Sequence, residues 1–301
     1  MGILSEELVS GNGVARIDVT GADDGMQTIV EDMTFLNYRL GSVQSRKEIS
    51  KSNPDVILDL GKKDKDIRYK GSVLYLDGAW EQGELNKIFT TILAFEMDKV
   101  GLHPFHSSAV RYKDKTILFL GGENNHGKSM NQIEGCRRGG KIVSTETTVT
   151  DDNGIVVYGS KSVYLRQNER AKGTERSDLP SQDEGVAKFF EKEPEFLNFE
   201  EEAPVDLVIM PGIDGHFATK VVEMGRFERE YQTYHSVMNY FGLNQLLSPG
   251  GLVMPIMDTD EARRKRGDFV SRFAADKPYF MMRASTPQII FDEIEKILPS
   301  V

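Results

Sequence analysis

The stretch Thr116-Ile117-Leu118-Phe119-Leu120-Gly121-Gly122-Glu123-Asn124-Asn125-His126-Gly127-Lys128-Ser129 joins an apolar, strand-like run to a polar loop bounded by glycines. Its last eight residues fit Gly-x-x-x-x-Gly-Lys-Ser, the phosphate-loop or Walker A pattern, and a helix is expected over residues 128–138. A loop of this kind surrounds a β-phosphate with backbone N–H groups. Its lysine neutralises the β and γ oxygens, and its hydroxyl ligates Mg²⁺. On that reading Gly122, Glu123, Asn124, Asn125, His126, Gly127, Lys128, Ser129 and Met130 bind the nucleotide, and Ser129 also binds the metal. A glycine turn followed by a solvated lysine is the plain alternative. His126 reads as a surface imidazole more readily than as a phosphate contact.

Outward from this stretch, Ser107 to Tyr112 predicts a strand that forms a hairpin with Thr116 to Leu120 across Lys113-Asp114-Lys115. Downstream, Lys141 to Val149 reads as one strand, Asp151-Asp152-Asn153-Gly154 as a hairpin turn, and Ile155 to Tyr158 as the returning strand. Residues 167–184 form a polar loop, an active-site lid or a solvated surface insertion. Val205 to Met210 and Lys220 to Met224 resemble a strand pair. Phe227 to Leu247 reads as a helix on which Tyr231, Tyr234, Tyr240 and Phe241 pack. Thr286-Pro287 opens a last helix with Ile289, Ile290, Ile294, Ile297 and Leu298 on its apolar face.

Upstream, the alternating segments Val14 to Val19, Asp55 to Leu60 and Ser72 to Leu76 predict a strand-rich region. After Gly83 the period changes. Leu85, Ile88, Phe89, Ile92, Leu93, Met97 and Val100 follow helical spacing. The expected domains are a strand-rich N-terminal domain over 1–82 and a nucleotide-binding catalytic domain over 83–301.

The 301 residues are 39% hydrophobic and 28% charged, the proportions of a globular protein. Thirty-seven basic against 47 acidic residues give a net charge of −10, which argues against a general nucleic-acid footprint. No run of 18 uncharged apolar residues occurs, so no membrane association is expected. The start Met1-Gly2-Ile3-Leu4-Ser5 has neither a signal peptide's pattern nor the serine spacing of myristoylation, and a cytoplasmic location is expected. The single cysteine, Cys136, reads as a buried helix residue.

His106-Ser107-Ser108-Ala109-Val110, the polar turn, Thr116 to Gly122, the phosphate loop, the helix ending Arg138-Gly139 and the strand from Lys141 together resemble the bacterial HPr serine kinase family. That family shares its nucleotide-binding core with phosphoenolpyruvate carboxykinase. The close resemblance covers residues 100–166. It implies an α+β fold with a P-loop core of that type, in which Lys128 and Ser129 grip phosphate and metal. The family's histidine matches His106, near the phosphates. Members commonly assemble, which implies a homo-oligomer.

One departure stands out. Kinases of this family carry two adjacent aspartates on the strand after the helix, the first a base and the second near the metal. Here those positions hold Thr145-Glu146. Threonine cannot take a proton at neutral pH, so Glu146 is left to hold Mg²⁺ or to reach the acceptor hydroxyl. Asp151 and Asp152 belong to a turn and are weaker metal ligands. The turn Pro211 to His216 reads as a simple turn or an acceptor-site wall, and Arg263-Arg264-Lys265-Arg266 as a solvated charged face or a phosphate-binding cluster.

The resulting expectation is a phosphotransferase using ATP, with GTP as the other candidate, and Mg²⁺. It transfers the γ-phosphoryl group to a hydroxyl of a small molecule, peptide or protein serine, with His106, Lys128 and Glu146 as catalytic residues. The alternatives are a nucleotide-binding regulatory protein without transfer and an enzyme that activates a carboxylate in carboxykinase fashion.

Overall fold

The computed structural model describes residues 3–23, 25–121, 126–165, 186–189, 196–242 and 249–301. The loop expected over 167–184, the end of the helix expected to reach Leu247, and Gly122, Glu123, Asn124 and Asn125 lie outside them. The fold is mixed α+β. It comprises two compact units, one of Met1–Pro104 with Met238–Lys265, the other of Phe105–Val237 with Arg266–Val301.

The first unit contains β1 (Leu4–Ser10), β2 (Gly13–Thr20), α1 (Thr34–Arg39), β3 (Val43–Arg46), β4 (Val56–Asp59), β5 (Asp66–Lys70), β6 (Val73–Asp77) and α2 (Gln82–Lys99). Its sheet has the order β3-β1-β2-β4-β6-β5, with β2, β4 and β6 parallel. The alternation in those three strands buries Ile17, Val19, Val56, Leu58, Leu74 and Leu76. Helix α2 starts with a reciprocal cap between Glu81 and Glu84, and its stripe from Leu85 to Met97 is buried. The sequence reading opens the second domain at residue 83, whereas α2 packs on β1 and β2 and belongs to the first unit.

Alternation fails at Glu6 and Glu7 on β1, both with fully buried side chains. Glu6 accepts hydrogen bonds from the Ile29 amide at 2.6 Å and Thr28 Oγ1 at 3.1 Å. Glu7 accepts from the Ser50 and Lys51 amides at 2.8 and 2.7 Å and pairs with Arg46 at 2.6 Å. Burial works to raise the Glu7 pKa, but the hydrogen bonds from Lys51, Arg46 and Ser50 outweigh it and hold the carboxyl below the usual glutamate value.

Strand β7 (His103–His106) leads into the second unit, which continues with β8 (Ser108–Tyr112), β9 (Lys115–Phe119), α3 (Lys128–Arg137), β10 (Lys141–Ser144), β11 (Thr147–Thr150), β12 (Ile155–Gly159), β13 (Ser162–Leu165), β14 (Val186–Phe189), β15 (Ala203–Pro204), β16 (Leu207–Ile213) and β17 (Lys220–Glu223). Helices α4 (Arg226–Gly242) and α5 (Asp260–Ala275), strand β18 (Tyr279–Ala284) and helix α6 (Pro287–Ile297) complete the chain. The larger sheet has the order β10-β8-β9-β16-β18-β17, and a second sheet the order β15-β12-β11-β7. On the larger sheet, β9, β16 and β18 are parallel and β8 is antiparallel to β9. Val110, Phe119, Ile133, Ile209, Ile213, Phe291 and Ile294 form the core between that sheet and α3 and α6. Thr286 caps α6 as its sequence suggests, accepting from the Ile289 amide.

Four readings need correction. The strand expected over Lys141 to Val149 breaks at Thr145-Glu146, so β10 and β11 belong to different sheets. Strands β16 and β17 do not pair, because β18 lies between them. Tyr231 is 54% exposed and stacks with Phe227 at 6.2 Å, while Tyr240 and Phe241 are buried as expected. In the basic cluster, Arg263 pairs with Asp258 at 3.1 Å and Lys265 with Glu261 at 3.0 Å, but Arg266 is fully buried. Among the described residues no helix is long and apolar enough to cross a membrane.

Candidate active site

The β8–β9 hairpin turns on Lys113 and Asp114, both left-handed with φ of 49° and 58°, as a two-residue hairpin turn requires. Its register sets Ser108 opposite Phe119. Strand β9 then meets β16, and the Leu120 amide donates to the Ile209 carbonyl at 2.9 Å. Gly121 follows, and Gly127, with φ of 99°, starts α3. A methyl group on Gly127 would stand 2.6 Å from Ile213 Cδ1, so position 127 requires glycine for both its backbone and its fit.

Lys128 lies at the first position of α3 with its side chain buried. Its Nζ donates to the Gly121 carbonyl at 2.7 Å. The lysine thereby ties the start of the helix to the residue that leaves β9. Asn131 Nδ2 donates to the Gly127 carbonyl at 2.9 Å from one turn further along. Ser129 and Met130 are half-buried in the same first turn, and His126 is half-buried where a surface imidazole was expected.

The second group of residues stands where the chain passes between the two sheets. Two such passages lie side by side, one at Ser107 between β7 and β8, the other at Thr145-Glu146 between β10 and β11. The Ser107 amide donates to the Glu146 carbonyl at 3.1 Å. Ser160 holds the second passage. Its Oγ accepts from the Glu146 and Thr147 amides at 3.0 and 2.9 Å, and its carbonyl accepts from the Thr145 amide at 2.9 Å. Thr145 Oγ1 donates to the same carbonyl at 3.1 Å. At the adjoining Gly159, a methyl group would stand 2.4 Å from Ser144 Cβ and 2.8 Å from the Thr147 carbonyl oxygen. Only glycine fits that crossing.

This corner brings Glu146 to His106, with Nε2 of the imidazole 3.7 Å from Oε1 of the carboxylate. The His106 side chain is 3% exposed and that of Glu146 13%. The distance is within ion-pair range and beyond that of a hydrogen bond. Ser236 Oγ donates to the His106 carbonyl at 3.0 Å and fixes the end of β7. Helix α3 packs on β8, β9 and β10, the strands that lead into both groups.

Other candidates resolve as ordinary structure. Asp151 Oδ1 accepts from the Asn153 and Ile155 amides at 2.9 and 2.8 Å, a turn at the far end of β11 from Glu146. Cys136 is buried in α3, and burial pushes its thiol pKa up to about 12, as for a structural thiol. Among the described residues no three His, Cys, Asp or Glu side chains stand together as a metal site.

No model of a known protein family matches the chain, and no curated protein matches it. The chemistry of the site therefore rests on its own residues. Ser160 and Gly159, which shape it, carried no sequence signal beyond a small-residue pair at a strand end. Ser108 was quoted only as part of a motif, yet its Oγ is fully buried and bonded to no described group.

Proposed function

We propose that the chain is an ATP- or GTP-dependent, Mg²⁺-requiring kinase that transfers the γ-phosphoryl group to a hydroxyl of a small molecule, peptide or protein serine. Its phosphate loop belongs to a core of the HPr kinase/phosphoenolpyruvate carboxykinase type, located in the cytoplasm. The observation that carries this reading is the bond from Lys128 to Gly121 across Gly-x-x-x-x-Gly-Lys-Ser, set between a buried strand and a helix N-terminus.

The residues fit the ligands. The Ser129 hydroxyl is a hard oxygen donor of the kind Mg²⁺ takes, and the Glu146 carboxylate offers oxygens for the ion through water or for the acceptor proton. Ser108 Oγ, opposite Phe119 two residues before Gly121, is an enclosed hydroxyl with a hydrogen bond still to make.

Bound Mg²⁺·ATP supplies the phosphoryl group and much of the charge neutralisation. Lys128 would stabilise negative charge on the transferring group, and Ser129 would hold Mg²⁺. Glu146 takes the acceptor's proton as its oxygen bonds to phosphorus, and His106 holds the carboxylate in place. ADP leaves with the electrons of the broken bond.

A second reading is a regulatory protein that binds nucleotide without transfer. Thr145 favours it, because its hydroxyl is engaged by Ser160 and cannot act as a base. Equilibrium dialysis with ATP followed by an assay of ADP formation in the presence of a host extract, the source of acceptor, separates the two. The kinase reading expects binding and turnover in the wild type, with Glu146→Gln keeping the binding and losing turnover by about 10²-fold or more. Binding without turnover in the wild type supports the regulatory reading, and no binding overturns both.

A further inference from the structure

Position 145, where a carboxylate is expected, is occupied by a threonine that is 1% exposed and bonded to Ser160. Any further carboxylate at the site therefore comes from another part of the chain. Strand β16 is the parallel neighbour of β9, and the two pair from Leu207↔Ile117 to Ile209↔Phe119. Strand β9 then gives way to the phosphate loop, while β16 runs on through Ile213, paired only with β18. Its end thus passes beside the start of α3, where a methyl group on Gly127 would stand 2.6 Å from Ile213 Cδ1.

Asp214 is the next residue, about 3.8 Å of chain further on. Its amide donates to the Ala284 carbonyl at 3.2 Å, which anchors it at the carboxyl ends of β16 and β18. Its Oδ1 accepts from the His216 amide at 2.9 Å, and its Oδ2 is bonded to no described group. Parallel strands present ligand sites at their carboxyl ends. In phosphate-loop enzymes the metal is shared between the loop's Ser or Thr and an aspartate.

We propose that Asp214 is that aspartate, holding Mg²⁺ directly or through water together with Ser129 at the phosphate loop. The proposal rests on the nucleotide reading above. It leaves Glu146 for the acceptor proton and gives the turn Pro211 to His216 a metal-positioning role.

The test is calorimetric titration of the full chain with ATP, once with excess Mg²⁺ and once with EDTA, for the wild type, Asp214→Asn and Glu146→Gln. Electron paramagnetic resonance with Mn²⁺ and ATP counts the bound metal independently of activity. Asparagine preserves the bond to the His216 amide, and Asp214→Ala checks that this choice does not decide the result. The expected result is a metal-dependent gain in wild-type affinity that Asp214→Asn reduces by about tenfold or more, with its EDTA affinity within about twofold of wild type and Mn²⁺ binding lost. Glu146→Gln retains the greater part of the gain. An Asp214→Asn protein with the full gain and full Mn²⁺ binding overturns the assignment and leaves the nucleotide reading standing. No ATP binding by the wild type overturns the nucleotide reading itself.

Discussion

Thr145 shows how one side chain can be committed to structure where an aspartate is expected to do chemistry. Its hydroxyl and amide both bond the Ser160 carbonyl, and it is 1% exposed. Thr145→Asp would put a charge beside a carbonyl oxygen in a closed site. It is expected to lower stability by about 3 kcal/mol, measured by urea denaturation, and to bring no gain in turnover. Unchanged stability would show that the pocket around position 145 accepts a charge. Lys128 is the opposite case. It is easily read from the motif, and the structure adds the carbonyl it holds, that of Gly121.

Strands and helices whose sequence states its own limits were legible. Strand β9 has an apolar run and a turn before it, α6 has Thr286-Pro287, and α2 has its stripe, to which the structure adds the Glu81–Glu84 cap. The break between β10 and β11 was not, because its cause lies 14 and 13 residues downstream, in the Ser160 hydroxyl that accepts from Glu146 and Thr147. Strand β18 also escaped, since Tyr279-Phe280-Met281-Met282-Arg283-Ala284 lacks clean alternation, with Phe280 and Met281 both half-buried and only Arg283 exposed. The corner makes a sharp prediction. Ser160→Ala removes the hydroxyl that accepts from the Glu146 and Thr147 amides and should cost about 1–3 kcal/mol in stability while displacing Glu146 and reducing turnover. Gly159→Ala, which drives a methyl group against Ser144 Cβ and the Thr147 carbonyl, should do at least as much damage. A fully active, equally stable Ser160→Ala protein would mean that the corner does not position Glu146.

Across the molecule, each unit depends on buried polar groups that hydropathy alone would place outside. In the first unit, Glu7 clamps segment 46–51 to β1. Its pKa is held below the unfolded value, so its contribution to stability is complete above about pH 4.5 and disappears as the pH falls through the lower folded value. Glu7→Gln should therefore lower stability at pH 7 by about 2 kcal/mol and flatten the loss of stability on acidification, as read from urea midpoints between pH 3 and 7. A variant with the wild-type acid profile would exclude Glu7 as a source of it. In the second unit, the buried polar groups include Lys128 at the start of α3 and the pair of His106 and Glu146, which the β10–β11 corner brings to 3.7 Å of each other. The most direct test of the kinase assignment is transfer of the labelled γ-phosphate of ATP, with Mg²⁺, into the small-molecule and protein fractions of a host extract. Label should appear with the wild type and fall by about 10²-fold or more with Lys128→Ala, whose circular dichroism spectrum should still be that of the folded wild type. Equal labelling by the two proteins would contradict the account.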